Sequence, residues 1–386
     1  MHFASSPQTH KRLEIIVFGE DWGSHPSSTQ HIIKRLIPNH DIVWINSLGL
    51  RRPKVNAQDF KRACNKLKNM LHKRNENTIF KANETDVTHI VHPRAISWPG
   101  NPLASLLNRY LLGQQIESII ETRGFNMPIL WASMPSAINA IDNYPNHKVV
   151  YYCGDDFRAL AGVDHRPVEK MEKRLAARAD LIIVASKPLQ KRFPEEKTVL
   201  LEHGVDYELF STDAPRAPDF PDHPLIAGFY GSIHDWLDMG IIVQAAQACP
   251  EWTFVFIGNV HINISSLKTL KNIKFLGARA HKNLPSYIQH WQVSMLPFKD
   301  CEQIRACNPL KLKEYLSAGR PIVSTEFPAL TPYRKNVHVM RNANELITIL
   351  NNLKDSISGP RKPDNTMQMQ TWGCKAKLVE KHLLSL

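Results

Sequence analysis

The chain has 386 residues, with 48 Lys+Arg against 36 Asp+Glu and a formal net charge of +12. That length suits two domains of roughly 150 residues or more, each with its own core. The 43% hydrophobic residues and 8% aromatics exclude a disordered or fibrous polypeptide.

No run of about 18 apolar residues occurs, so no membrane-spanning helix is expected. His10, Lys11 and Arg12 stand where a signal peptide would need its apolar stretch. The six cysteines form no CxxC pair and read as reduced thiols. A soluble, cytoplasmic, two-domain protein is expected.

Residues 1–12 read as a flexible leader. From Leu13 the chain alternates short apolar runs with helical stretches. A strand over Leu13–Gly19 (LEIIVFG) is followed by a helix over Thr29–Ile37 and a strand over Asp41–Asn46. Between Arg51 and Lys81 lie ten Lys/Arg and two acids, so this stretch holds +8 of the +12. Phe60, Ala63, Cys64, Leu67, Met70 and Leu71 recur there at helical spacing. Such a basic amphipathic helix suits peripheral association with an anionic membrane at its inner face; an ordinary core-packed surface helix fits the pattern equally.

Strands follow at Val87–His92, Pro128–Ala132, Lys148–Cys153, Asp180–Ser186 and Val199–Glu202, with helices over Leu103–Glu121 and Val168–Ala179. The stretch Ser211–Pro224 (STDAPRAPDFPDHP) carries four prolines and reads as a linker, 211–223. Beyond it come strands at Leu225–Tyr230, Trp252–Ile257, Ile273–Leu276, Val293–Pro297 and Pro321–Ser324. Helices are expected from Trp236, around Asn283–His290 and over Asn308–Ala318. Continuous apolar strands separated by helices imply parallel sheets covered on both faces.

The expected fold class is therefore α/β, with two doubly wound Rossmann-like domains: 13–210 and 224–365. A final helical segment, 366–386, is expected to return to the first domain. Ligands would bind in a cleft at the strand C-termini. Tryptophans 98, 131, 252 and 291 read as core.

The most informative run is Cys307–Thr325 (CNPLKLKEYLSAGRPIVST). Asn308 suits an N-cap, Pro309 the first helical position, and Gly319 a stop. The start of such a helix is an anion site. Lys311 in its first turn is unfavourable there unless an anion lies between the two positives. Glu314 and Tyr315 share the face of Lys311. A phosphate at the helix start and a ribose at Glu314 would satisfy this pattern; a capped surface helix with a Lys311–Glu314 ion pair would too.

NPLKLKEYLSAGRPIVST resembles the donor-nucleotide motif of GT-B glycosyltransferases of group 1, or family 4-like, in which a lysine and helix start hold a diphosphate and a glutamate holds the ribose. Phe229–Asp238 (FYGSIHDWLD), Phe275–Gly277, Leu284–Tyr287 and Met295–Phe298 resemble further blocks of that C-terminal domain. Ala179–Ser186 and His203–Asp206 (HGVD) resemble the end of its N-terminal domain.

By this resemblance the donor is a nucleotide-diphosphate sugar, UDP-linked by frequency, held by Gly231, Ser232, Asn308, Lys311 and Glu314. Arg305 is a further candidate for the diphosphate or for a sugar carboxylate. The chain departs from the commoner E-x7-E form in having Ala306, and it lacks the Arg and Lys often found after the glycine turn.

Strand KVVYYC runs into Gly154-Asp155-Asp156. Direct displacement at a sugar needs a base for the acceptor hydroxyl, and a strand-end carboxylate suits that role. The segment resembles the strand-end aspartate of inverting GT-B enzymes such as the glucuronosyltransferase of xanthan assembly. On that basis Asp155 is the base, with helix capping as the alternative, and Asp156 supports the loop. Glu20 and Asp21, after the first strand, are acceptor-side candidates, or simple turn residues.

No metal is expected: the aspartates are adjacent rather than in a D-x-D, and His89 and His92 face opposite sides of one strand. Nor is any other cofactor, and no GxGxxG follows the first strand. The sequence thus reads as a glycosyltransferase acting on a lipid-linked or polysaccharide acceptor. A nucleotide-sugar 2-epimerase of the same architecture is the alternative. A nucleic-acid-binding protein ranks last, because the excess charge sits in one stretch without stacking aromatics.

Overall fold

A computed structural model describes residues 11–23, 27–48, 89–160, 163–265, 267–354 and 359–386. The basic stretch 51–81 and most of the expected leader lie outside the described residues. The chain divides into two compact units: Met1–Glu202 with Lys375–Leu386, and His203–Cys374.

The first unit is built on a seven-stranded sheet of order β3-β2-β1-β4-β5-β6-β7. Its strands are β1 (Glu14–Phe18), β2 (Asp41–Ile45), β3 (Ile90–Val91), β4 (Ile129–Ala132), β5 (Val149–Cys153), β6 (Leu181–Val184) and β7 (Thr198–Leu200). The second carries a six-stranded sheet of order β10-β9-β8-β11-β12-β13. These are β8 (Ile226–Tyr230), β9 (Thr253–Ile257), β10 (Ile273–Phe275), β11 (Val293–Leu296), β12 (Ile322–Ser324) and β13 (His338–Val339). Every pairing is parallel. Each unit therefore has the doubly wound α/β class that its apolar runs imply.

The core strands are apolar along their whole length because helices cover both faces. β4, β5 and β6 are buried at every residue, as are β8 and β9. Trp44, Trp131, Trp252 and Trp291 are fully buried. Trp98 is not: it is 48% exposed, a departure from the expected core position. It precedes Pro99-Gly100 in a loop, so no strand or helix turns it inward.

Local capping sets the helix ends. Asn101 Oδ1 accepts from Ala104 N (3.0 Å) to open the helix Pro102–Arg123, and left-handed Gly124 closes it. The proline-rich stretch packs into the second unit: Ala217 and Phe220 are buried, and Asp219 accepts from the Tyr287 hydroxyl at 2.5 Å. The division between the units thus falls earlier, at Glu202/His203. In the first unit, His40 Nδ1 accepts from Leu13 N (3.2 Å) and its Nε2 lies 2.9 Å from Glu380 of the terminal helix.

The centre of β8 is crowded. A Cβ on Gly228 would lie 1.8 Å from the ring of buried Trp291. Gly228→Ala is expected to cost about 1–3 kcal/mol through overpacking. Urea unfolding checks this, and a stability equal to wild type refutes the packing assignment.

Candidate functional site

In the second unit, β8 is the first strand and lies between β9 and β11, so connections leave it in both directions. A ligand crevice is expected at the C-terminal end of such a strand. There the chain turns at Gly231, whose φ of 128° favours glycine. Gly231 N donates to Ile257 O (2.8 Å). A Cβ on Gly231 would lie 2.2 Å from Lys311 Cε, and one on Gly258 would lie 1.9 Å from Gly231 O. The lysine stem therefore rests directly on the glycine turn.

The Lys311 ammonium stands 5.9 Å from the ring centroids of Phe229 and Tyr230. Ser232 follows the turn and is exposed.

Lys311 belongs to the helix Leu310–Ala318. Pro309, in extended conformation, occupies the cap, so the helix opens one residue later than expected and Asn308 is not its N-cap. Asn308 is buried just ahead of it. Gly319 closes the helix at φ 77°, and a Cβ there would strike the backbone of Lys362 and Pro363. The Tyr315 hydroxyl accepts from Tyr230 N (3.2 Å), which ties the helix to the end of β8.

This helix is buried from Leu312 to Ala318, including Lys313 and Glu314. Lys313 Nζ donates to His203 O at 2.6 Å. Glu314 Oε1 lies 2.6 Å from His281 Nε2, and the carboxyl is buried rather than on the surface as the sequence alternative had it. Burial pushes the Glu314 carboxyl well above the usual range, and the charge of Asp206 adds to that. Sequence reasoning did not single out His281 and Lys313. The HGVD block quoted for the resemblance was the one available pointer to Asp206. Arg305 is exposed on the helix Glu302–Ala306, where Asp300 engages its guanidinium through two bonds of 2.6 and 2.7 Å.

In the first unit, β5 delivers Gly154, Asp155 and Asp156. The two aspartates differ in surroundings. Asp155 is exposed, and its carbonyl accepts from Cys153 Sγ at 3.4 Å. Asp156 accepts from the Arg158 guanidinium at 3.1 Å through both oxygens, from Arg158 N at 3.0 Å and from Arg192 at 2.8 Å. Burial opposes its ionisation, but these bonds and charges outweigh it and hold the carboxyl below its usual range. Arg192 also reaches buried Glu172 at 2.5 Å, which accepts from Tyr151 Oη at 2.8 Å.

At the end of β1, Glu20 Oε1 accepts from Gln30 Nε2 (3.1 Å) and from Ser27 Oγ. Asp21 Oδ1 accepts from Ser47 N at 3.1 Å. Both carboxylates thus fasten the loop after β1 to neighbouring segments. Among the described residues, no group of three or more His, Cys, Asp or Glu is placed to hold a metal ion.

Two outcomes follow. Arg192→Met leaves buried Glu172 and half-buried Asp156 without a shared cation, which should cost about 3 kcal/mol; a melting temperature unchanged from wild type would contradict it. Glu314 binds its proton more tightly folded than unfolded. Its stabilising contribution is therefore complete below the ordinary value of 4.5 and is lost as pH rises towards the raised one. Wild type should lose stability relative to Glu314→Gln above about pH 4.5, as read by urea melts across pH. A pH-independent difference would show that the carboxyl is not raised.

Residues 225–354 match the sequence profile of the family described as Glycosyl transferases group 1. TuaH of Bacillus subtilis strain 168, a glycosyltransferase assigned to teichuronic acid biosynthesis, is 31% identical over 228 residues. That alignment takes in 53% of this chain and 57% of TuaH, so the chain spans little more than half the length of this relative.

Among solved structures, Anabaena HepE in complex with UDP superposes with a TM-score of 0.65 at 14% identity, covering 97% of this chain and all of HepE. HepE has also been solved with UDP-glucose. Sucrose-phosphate synthase from Thermosynechococcus elongatus gives a TM-score of 0.69 at 11% identity, covering 97% and 99% of the two chains. The two doubly wound sheets thus share the fold of these solved structures, and residues 225–354, which hold the Gly231–Lys311 turn, match the Glycosyl transferases group 1 family.

Proposed function

We propose that the protein transfers a glycosyl group from a UDP-sugar to a hydroxyl of a lipid-linked or polysaccharide acceptor during cell-surface polysaccharide synthesis. The observation that carries this is the seating of Lys311 on the Gly231 turn at the opening of helix Leu310–Ala318, with Glu314 buried one turn along. A lysine held beside the positive end of a helix suits a diphosphate. A carboxyl on the same helix face suits ribose hydroxyls. The UDP and UDP-glucose bound by HepE, and the pathway assigned to TuaH, support the donor and the product class.

Under this reading Gly231, Ser232 and Asn308 border the diphosphate, and Arg305 is left to its pair with Asp300. Asp155 takes the proton of the acceptor hydroxyl as its oxygen attacks the anomeric carbon. The bond to the nucleoside diphosphate breaks, and Lys311 and the helix start receive the departing charge without a bound metal. One displacement inverts the anomeric centre. Asp156, committed to Arg158 and Arg192, supports the loop, while Glu20 and Asp21 shape the acceptor side. The basic stretch 51–81 would bring the enzyme to the inner face of a membrane. Among the described residues no helix is long and apolar enough to cross one.

The test is thermal shift with UDP and UDP-sugars, followed by turnover. At a hundredfold excess over Kd a bound nucleotide stabilises by about 2.7 kcal/mol. Lys311→Ala should lose that shift. Asp155→Asn should keep it while stopping transfer. No shift with any nucleoside diphosphate removes the donor reading; wild-type turnover in Asp155→Asn removes only the base.

A further inference from the structure

The helix Pro102–Arg123 is apolar on two opposite faces in its first half. Ala104, Asn108, Leu112 and Ile116 are buried against the first unit. Leu103, Leu106, Leu107 and Tyr110 recur at the same helical spacing and are exposed, Leu103 by 76% and Leu106 by 68%. Ile96 and Trp98, in the loop before the helix, are exposed as well. Of the eleven large apolar residues exposed among the described residues, six lie between 96 and 110. They therefore form a cluster, whereas singly scattered apolar residues are ordinary on a protein surface.

The charge around this cluster has one dominant sign. From His89 to Ile116 the chain contains Arg94 and Arg109 and no Asp or Glu. Beside the cluster, a cavity of about 290 Å³ is walled by Ile96, Trp98, Pro99 and Leu112, and the two charged residues at its wall are Lys170 and Arg174. Arg174 pairs with Asp142, and Arg109 Nε donates to the Asn143 amide oxygen at 2.8 Å. Leucines with a Trp and a Tyr, whose rings are apolar bodies with polar tips, suit the boundary between acyl chains and headgroups. Cations at the rim suit anionic headgroups.

We infer that the exposed face Leu103/Leu106/Leu107/Tyr110, together with Ile96 and Trp98, docks this unit on an anionic lipid bilayer. The inference deepens the proposed function, since it gives a lipid-linked acceptor a surface on which to be presented. It does not depend on the basic stretch 51–81.

Vesicle sedimentation of the full chain tests it, with phosphatidylglycerol-containing vesicles against pure phosphatidylcholine. Binding should favour the anionic vesicles. The triple variant Leu103→Gln, Leu106→Gln, Leu107→Gln should lower partitioning by roughly tenfold or more. Lipids brominated on their tails should quench tryptophan emission, and Trp98→Phe should remove most of that quenching. The melting temperature and the UDP shift of the triple variant should match wild type, so that failure of docking and failure of the donor site are read separately.

Unaltered vesicle binding in the triple variant overturns the inference, as does absence of binding in wild type. A marked fall in its melting temperature overturns it too, because the face would then be packed within the monomer. A dimer in light scattering that the triple variant abolishes, without vesicle binding, assigns the face to a second copy instead.

Discussion

A parallel sheet must be covered on both faces, and that constraint governs both units. With helices above and below, the central strands carry mostly apolar side chains, and the backbone presents polar groups to a ligand chiefly where strands end. The chemistry-bearing loops accordingly gather there: Gly19–Asp21 after β1, Gly154–Asp156 after β5 and Gly231–Ser232 after β8. Crowding beneath them explains the glycines at these ends. A Cβ on Gly19 would lie 2.1 Å from the Trp44 ring, and one on Gly231 would lie within the Lys311 side chain.

Helix Leu310–Ala318 shows how a polar element is tolerated inside such a core. Burying a charge costs several kcal/mol unless partners replace water. Lys313 meets a backbone carbonyl and Glu314 meets His281, while Tyr315 ties the helix to β8. The raised Glu314 carboxyl follows from the same burial. Lys311 is held differently, its stem folded over a glycine turn beside two aromatic rings. A rigid seat for a cation near a buried carboxyl is what the proposed donor site requires.

The first unit separates two neighbouring carboxylates by surroundings alone. Asp156 lies in a chain of contacts running from Arg158 through Arg192 to Glu172 and Tyr151, and is partly buried, whereas Asp155 is exposed. Elsewhere in this unit, one helix buries one apolar face and exposes another. The covered face belongs to the fold; the exposed one is the face inferred to dock on a bilayer.

The α/β class, most strands and the helix closed by Gly319 were legible in the sequence, because continuous apolar runs and helix-stop residues are local signals. The residues proposed for the donor site came from a motif, in which Asn308 was misjudged as the cap by one position. β13 and the helix Ala343–Lys354 carry weaker local signals and were not anticipated. Trp98 was placed in the core because hydrophobicity shows affinity for an interior and not whether neighbours arrive to provide one.

What lay beyond the sequence were pairings across long separations. Lys313 and His203 are 110 residues apart, Arg192 and Asp156 are 36, and Glu314 and His281 are 33. Periodicity reports which face of an element turns inward. Which polar group meets it there depends on how strands are ordered in the sheet, and that order sets the state of each buried carboxyl.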